Sequence, residues 1–333
     1  MSLPAAQLAA DPLWFPWRFD EAADAFRFRR LSREDHARAT FLTEDYLGAA
    51  PVESAPRTAV VAGEQAPIHF IFHSAFCLSS LLARAFDLPG TAIGLKEPML
   101  FNDLAGWQLR GASGPQLGAA MAAGLSLLAR PFGPGEAVIV KPSNIANALI
   151  AGTMQLRPQA RALLLHAPLR VYLGSITRKG LDGRLWVRDL LIKQLRQGLH
   201  DFGYGADDYL GQSDLQVAAM GWLAQHRLFG RLAQRLGDRV RTLDSDSITA
   251  RPHEVMAALA AHFGVDIDVP AVVAGPAFTR HSKHGTAFDA GARAAEQAAE
   301  AAHADEIGKV AIWAEKVAET NGIPLALPQR LIR

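Results

Sequence analysis

The stretch IHFIFHSAFCLSSLLARAF, residues 68–86, decides how this chain folds. A mostly apolar run is followed by small and polar residues, and then by an amphipathic segment that starts at Ser79. This is the pattern of a buried strand that ends in a tight turn and leads into a helix. The first backbone N–H groups of such a helix have no helical partner and lie at the positive end of its dipole. The turn is therefore a candidate anion site.

Short apolar runs alternate with amphipathic stretches from residue 68 onward, which predicts an α/β fold with a central parallel sheet flanked by helices. The predicted strands are residues 68–73, 92–95, 137–141, 162–166 and 239–243. The predicted helices are residues 79–86, 116–129, 144–156, 169–178, 186–200, 215–236 and 253–263, with an alanine-rich surface helix over 290–321.

The N-terminal part has a different pattern. Residues 13–46 mix aromatic and charged side chains, and their alternation over residues 25–31 predicts a short strand. Residues 49–67 are rich in Ala, Pro and Gly, which predicts a connecting loop. We therefore expect residues 1–66 to form an extension or lid that packs on a core of residues 67–333.

Composition limits the classes of partner. The formal net charge of +1 offers no field for a polyanion, so we expect no nucleic-acid partner. A single cysteine, Cys77, excludes an internal disulfide framework and fits a reducing compartment, which favours a cytoplasmic location. The N-terminal residues lack the pattern of a secretory signal, and the longest apolar stretches are too short for a bilayer, so we expect no membrane segment. The oligomeric state is left open.

Ser79 and Ser80 would supply hydroxyl donors at the first turn of the predicted helix, where an oxygen of a phosphate or sulfonate can bind. The same serines also suit the ordinary role of helix N-caps, and the residues alone favour that role. The turn lacks the GxxxxGK[ST] spacing and holds no lysine, so a nucleoside triphosphatase has little support.

The segment FCLSSLL, residues 76–82, resembles the 5′-phosphosulfate loop of the P-loop sulfotransferases, in which a basic residue is followed by SGTT and two apolar residues. Ser79 and Ser80 take the places of the two threonines, whereas Phe76 replaces the basic residue and Leu78 the glycine. The resemblance implies a three-layer P-loop NTPase-like fold and a sulfonate donor, 3′-phosphoadenosine 5′-phosphosulfate. The donor-binding residues that it implies here are His73, Phe76, Cys77, Leu78, Ser79 and Ser80.

Two motifs at strand ends extend the resemblance. GLKEP, residues 94–98, places Glu97 where tyrosylprotein sulfotransferases carry a general base for the acceptor hydroxyl. Without the loop, the residues favour an ordinary surface ion pair between Lys96 and Glu97, and with the loop the two explanations are about even. In AVIVKPSNIANAL, residues 137–149, Lys141 ends a strand at the edge where α/β proteins bind ligands. The resemblance implies that Lys141 stabilises the leaving phosphate, and the alternative is a lysine that reaches solvent.

ALLLHAPLRVYLGSITRKG, residues 162–180, is similar to the segment that binds the donor's 3′-phosphate in the same family. His166 stands where the family has arginine, and Ser175 comes one residue later than the family's serine. Either Arg170 or Arg178 would add the missing charge, and Arg178 lies one helical turn beyond Ser175 on the same face. Residues 278–289 resemble the late basic loop over that phosphate, which implies contacts from Arg280 and Lys283. His281 and His284 in this loop lack further ligands, so we predict no metal.

The resemblance implies in-line transfer of a sulfonate from this nucleotide donor to a hydroxyl or amine acceptor, with Glu97 and Lys141 as the catalytic residues. The sequence does not specify the acceptor. One alternative is a non-catalytic nucleotide-binding or scaffold protein, which the changes at Phe76, Leu78 and His166 allow. A less favoured one is an ATP-dependent phosphotransferase, which would need Mg²⁺ and an acidic ligand such as Asp244 or Asp246.

Overall fold

The computed structural model describes residues 3–63, 65–279 and 290–333, with the backbone alone for residues 290–302. In this part of the chain the strands are β1 (Trp14–Asp20), β2 (Ala25–Arg30), β3 (Val52–Pro56), β4 (Ile68–His73), β5 (Ala92–Lys96), β6 (Ala137–Lys141), β7 (Ala162–His166) and β8 (Val240–Asp244).

The α-helices of the described residues follow in chain order. They are α1 (Ala5–Ala10), α2 (Arg33–Arg38), α3 (Glu44–Leu47), α4 (Ser79–Ala85), α5 (Met99–Leu109), α6 (Gly114–Leu128), α7 (Ile150–Leu156), α8 (Leu169–Arg178), α9 (Gly180–Arg196), α10 (Ala206–Leu210), α11 (Asp214–Leu236), α12 (Ser245–Ala250), α13 (Pro252–Phe263), α14 (Val269–Ala274), α15 (Pro276–Thr279) and α16 (Ala290–Thr320). None of these described helices combines the length and apolarity that crossing a bilayer requires.

The predicted α/β fold is confirmed. Within the described residues, five strands form a parallel sheet in the order β5-β6-β4-β7-β8, flanked by helices. Every residue of β4, β5 and β6 is buried, which explains why these strands read as continuous apolar runs rather than as alternating ones. All five predicted strands match the observed ones to within one residue at either end.

The N-terminal prediction is partly wrong. β1, β2 and β3 form an antiparallel three-stranded sheet within the described chain, and β3 lies inside the predicted loop of residues 49–67. Only one residue of β3, Ala55, is buried, so this strand carries no apolar alternation. Its place in the sheet comes from backbone pairing with β2, which the pattern of side chains does not reveal.

Three helix predictions need correction. Residues 144–149 form a 3₁₀ helix rather than the first turns of α7. The helix predicted over residues 186–200 begins earlier, at Gly180. The prediction missed this start because Gly180 and Gly183 interrupt the helical period of apolar residues. Helix α5 was not predicted. In the structure its residue Asp103 accepts hydrogen bonds from the Arg18 guanidinium and the Phe19 N–H.

The described residues divide into two units. The first comprises Met1–Phe72, Ser79–Ala162 and Met256–Phe278, and the second comprises His73–Leu78, Leu163–Val255 and Thr279–Arg333. The first unit has a core of aromatic side chains that includes Phe26, Phe70 and Phe101, each at most 1% exposed.

The second unit is built around α11. This helix starts with a capping box in which Ser213 and Gln216 bond each other's backbone N–H groups. The C-terminal segment runs beside β8: the Leu331 N–H donates to the Thr242 carbonyl, and the Thr242 N–H donates to the Gln329 carbonyl, both at 2.9 Å. This pairing holds residues 328–331 against β8 as a short parallel bridge.

Candidate functional site

The turn after β4 has a left-handed backbone at three residues that are not glycine. The φ angles are 75° at Ala75, 50° at Phe76 and 63° at Leu78. Each costs about 1–2 kcal/mol relative to an ordinary conformation, so the surrounding contacts must hold the turn in place. Conformations of this kind concentrate at ligand sites, which fits a functional role for the predicted loop.

Backbone and side-chain hydrogen bonds hold the first half of this turn. The His73 Nδ1 atom accepts from the Ala75 N–H at 3.0 Å. The Ser74 N–H donates to the Leu165 carbonyl at 3.0 Å, and the Ser74 hydroxyl accepts from the Ala167 N–H at 3.2 Å. His73 is only 4% exposed. Its Nδ1 lone pair is therefore used to shape the turn.

Phe76 occupies the position at which the sequence comparison expects a basic residue. Its ring centroid lies 5.3 Å from that of Trp186 and 5.8 Å from that of Tyr172. The Lys179 ammonium lies 5.8 Å from the Phe76 ring. The Phe76 side chain thus packs in an aromatic cluster. The positive charge near this position belongs to Lys179, whose ammonium lies over the Phe76 ring.

The second half of the turn leads into α4. The Cys77 side chain is 1% exposed, and its Sγ atom lies 3.7 Å from the Leu165 carbonyl oxygen. Ser79 and Ser80 form the first two positions of α4, as predicted, and both are buried. Two hydroxyl groups therefore lie at the helix start in a place largely shielded from water.

Glu97 and Lys141 lie at the carboxyl ends of β5 and β6, which are adjacent parallel strands with Lys96 opposite Lys141. The Lys141 ammonium forms an ion pair with the Glu97 carboxylate. The side chain of Lys141 is 1% exposed and that of Glu97 is 19% exposed. The Lys141 ammonium also lies 5.0 Å from the centroid of the Phe41 ring. The structure thus brings the two predicted catalytic residues together.

Lys96 does not pair with Glu97, so the surface ion pair considered above is excluded. The Lys96 ammonium is buried and donates to the carbonyl oxygens of His36 at 2.6 Å and Ala37 at 3.2 Å. Burial, followed by the positive charges of Arg84 and Lys141, lowers the pKa of Lys96 to about 8. No pattern in the sequence indicates that this lysine is buried beside Lys141.

The segment after β6 carries several buried polar side chains. Ser143, Asn144 and Asn147 are all buried, directly after Lys141. The Nδ2 atom of Asn144 is buried and has no hydrogen-bond partner among the described residues. A buried amide donor of this kind is costly unless something accepts from it, so Asn144 is a candidate ligand-binding residue.

Residues predicted to bind a 3′-phosphate fall at the end of β7 and on α8. Arg178 donates to the Ser175 hydroxyl at 2.8 Å, so the two share a helix face as expected. Burial lowers the pKa of His166 to about 4, against the opposing effect of Asp244. The imidazole is therefore neutral near pH 7 and does not supply the charge of the arginine that it replaces.

Some predictions fall elsewhere. Arg280, Lys283, His281 and His284 lie outside the described residues. Asp244 caps α12, since its carboxylate accepts from the Ser247 N–H and hydroxyl, both at 2.9 Å. Because its carboxylate has this capping role, the structure gives no support to Asp244 as a ligand for Mg²⁺. In the described ranges, no three His, Cys, Asp or Glu residues are grouped as metal ligands would be.

No protein-family model and no curated protein matches the sequence. Among solved structures, the sulfotransferase domain from the curacin biosynthetic pathway is similar to this chain with a TM-score of 0.41 and 12% sequence identity. The match covers 68% of this chain and 84% of that one. At this score and identity the likeness decides nothing about activity, which has to be argued from the residues of this chain.

Proposed function

We propose that the chain is a sulfotransferase that uses 3′-phosphoadenosine 5′-phosphosulfate to sulfonate a hydroxyl or amine acceptor. The observation that carries the proposal is the ion pair between Glu97 and Lys141 at the ends of two neighbouring parallel strands. The carboxyl edge of a parallel sheet is where α/β proteins bind their ligands. An acid and a cation in this place are the two groups that such a transfer needs.

The proposed step is an in-line displacement at sulfur. The acceptor oxygen or nitrogen forms a bond to sulfur while the bond from sulfur to the bridging phosphate oxygen breaks. The acceptor proton passes to the Glu97 carboxylate, and 3′-phosphoadenosine 5′-phosphate leaves with the electron pair. The Lys141 ammonium stabilises the negative charge that grows on the leaving phosphate. Glu97 thus takes the acceptor proton and Lys141 offsets the charge on the leaving phosphate, and these two side chains already contact each other.

Other donors in the same unit support an anionic ligand. Ser79 and Ser80 are buried hydroxyl groups at the start of α4, and Asn144 keeps a buried amide donor without a described partner. All three side chains donate hydrogen bonds of the kind that sulfonate and phosphate oxygens accept. Ser175 and Arg178 remain the predicted contacts of the 3′-phosphate.

One observation favours the non-catalytic alternative. Phe76 packs against Trp186 and Tyr172, so the usual basic residue of the loop is replaced by a side chain with a structural role. A protein that binds the nucleotide without transferring sulfonate would keep the fold and tolerate this change. Binding and turnover therefore have to be measured separately.

Thermal unfolding in the presence of ligands tests the proposal, because a ligand that binds only the folded state raises the midpoint. We expect 3′-phosphoadenosine 5′-phosphate to raise the midpoint and ATP with Mg²⁺ to leave it unchanged. A shift with ATP and Mg²⁺ alone would indicate a phosphotransferase. No shift with either nucleotide would leave only the scaffold alternative.

Variants then separate binding from chemistry. We expect Glu97→Gln to keep the shift with 3′-phosphoadenosine 5′-phosphate, because the amide can still accept from Lys141. Lys141→Met should reduce that shift, each variant being compared with its own ligand-free midpoint. The matched control is Lys316→Gln, which removes a surface lysine paired with Glu319. Sulfonation of the probe 2-naphthol should disappear in Glu97→Gln, and full activity of that variant would reject the assigned base.

A further inference from the structure

A cavity of about 310 Å³ lies in the second unit, and its lining includes none of the residues used in the proposed step. Its walls come from the ends of β7 and β8, from α11 and α16, and from the C-terminal segment. Ligand pockets in proteins usually measure roughly 300–1,000 Å³, so this volume is enough for a small molecule. At about 30 Å³ for each water in the liquid, it has room for about ten non-hydrogen atoms.

One side of this cavity is apolar. Among its lining side chains are Leu169, Trp222, Leu243, Leu325 and Leu327. The indole ring of Trp222 is fixed, because its Nε1 atom donates to the Ala167 carbonyl at 2.8 Å and its ring stacks on His226 at 4.1 Å between centroids. His226 is held in turn by the Leu325 carbonyl at 3.0 Å. This wall is preformed and suits an apolar body.

His166 also lines the cavity. Its Nδ1 atom is buried and has no hydrogen-bond partner in the described part of the chain. Its ring packs edge-on against His226, with 4.9 Å between centroids.

Arg330 brings an unmatched charge. It lines the cavity from the C-terminal segment, and its guanidinium has no hydrogen bond or ion pair with the described residues. The Asp244 carboxylate lines the cavity as well, and it accepts hydrogen bonds from the Ser247 N–H and hydroxyl. Glu315 also lines the cavity, so the lining carries both signs of charge. A ligand with one acidic group on the side of Arg330 complements this distribution.

We infer that this cavity binds a small organic acid, with an apolar body against Trp222 and a carboxylate at Arg330. The inference does not depend on the proposed sulfonate transfer, which uses other residues. It also places His166 in the wall of this cavity, whereas its sequence position implies a 3′-phosphate contact.

Isothermal titration of the full chain with 4-hydroxybenzoate and with hexanoate tests this inference. We expect at least one of these acids to bind, and its uncharged amide to bind at least about tenfold more weakly, because a charge-assisted contact is lost. Arg330→Gln should weaken the acid by a similar factor. Arg235→Gln is the matched control: it removes another exposed arginine of the same unit that does not line the cavity.

A cavity-filling variant gives an independent check. Ala326 is exposed and lines the cavity, so Ala326→Phe should fold normally and abolish binding of the acid. The inference is overturned if neither acid saturates the protein at concentrations up to about 10 mM, because such binding would be too weak to be specific. It is also overturned if Arg330→Gln and Ala326→Phe bind as the wild type does, or if 3′-phosphoadenosine 5′-phosphate displaces the acid.

The two proposals fail separately. A chain that binds 3′-phosphoadenosine 5′-phosphate but neither acid keeps the proposed function and loses this inference. A chain that binds an acid in the manner described, but no nucleotide, does the reverse.

Discussion

Glu97 and Lys141 are joined twice, through the backbone and through their side chains. The Glu97 N–H donates to the Lys141 carbonyl at 2.7 Å, and the Lys141 ammonium pairs with the Glu97 carboxylate. Glu97 reaches this position with a left-handed backbone, at a φ of 55°. The strand ends are therefore locked together at the point where the proposed reaction takes place.

The burial of this pair predicts an asymmetric effect on stability. Glu97→Ala strands an ammonium that is 1% exposed and should cost about 3 kcal/mol of unfolding free energy. Lys141→Met leaves a carboxylate that is 19% exposed and can meet water, so its cost should be clearly smaller. The double variant should lose less unfolding free energy than the two single variants lose together, by at least about 1 kcal/mol. Urea unfolding measures all three, and additive losses would contradict the pairing.

The strained turn predicts that glycine is favoured at Ala75. With a φ of 75°, Ala75→Gly removes a steric penalty of about 1–2 kcal/mol and adds about 0.5–1 kcal/mol of chain entropy. We therefore expect a net gain of up to about 1.5 kcal/mol in the free energy of unfolding, measured in urea. The control is Ala123→Gly within α6, where the same change should cost about 0.5–1 kcal/mol. Equal losses at both positions would show that the turn is not strained.

Close packing of α4 on β5 predicts a strict requirement for glycine at residue 94. A Cβ atom added to Gly94 would lie 1.9 Å from the carbonyl oxygen of Ala83. Gly94→Ala must therefore push α4 away from the sheet, at a cost of about 3 kcal/mol. Gly114→Ala is the matched control, because a Cβ atom there meets nothing within 4 Å. Similar melting midpoints for the two variants would contradict the observed packing.

His36 predicts a loss of stability in acid. It lies between the rings of Phe15 and Phe132, and neither ring nitrogen has a partner among the described residues. Burial, and then the charge of Lys96, lowers the pKa of His36 to about 3. The unfolded chain has a histidine pKa of about 6.5 and takes up the proton first, so stability falls as the pH drops from about 6.5 towards 3.

His36→Phe should remove this contribution while keeping the aromatic contacts. The variant should gain on the wild type by up to about 1.4 kcal/mol for each pH unit below 6.5, which urea unfolding at several pH values measures. Replacing the exposed His253 by Gln should leave the pH profile unchanged. Parallel profiles for His36→Phe and the wild type would contradict the prediction.

The sheet was predictable because burial on both faces imposes a continuous apolar run, as in β4 and β6. The same signal fails for β3, which is held by backbone bonds and buries only Ala55. It also fails for the start of α9, where Gly180 and Gly183 hide the helical period. The pattern of apolar residues along a sequence indicates which side chains are buried, but not which strands pair through their backbones.

The candidate site was predictable residue by residue but not in its contacts. Glu97 and Lys141 each follow a predicted strand, and topology alone put them at the same edge. Their ion pair, and the burial of Lys96 beside them, depend on side-chain directions that no spacing encodes. The cavity beside His166 needed the C-terminal segment next to β8, which brings together residues more than 80 positions apart.

Cys77 is the single cysteine of the 333 residues, and its thiol is almost completely shielded within the turn. Alkylating reagents attack only a thiolate that they can reach, so the modification rate of the native protein records how often this segment opens. The chain therefore carries a natural reporter of the motions at its proposed donor loop. A nucleotide that settles there should slow the labelling, without any engineered probe.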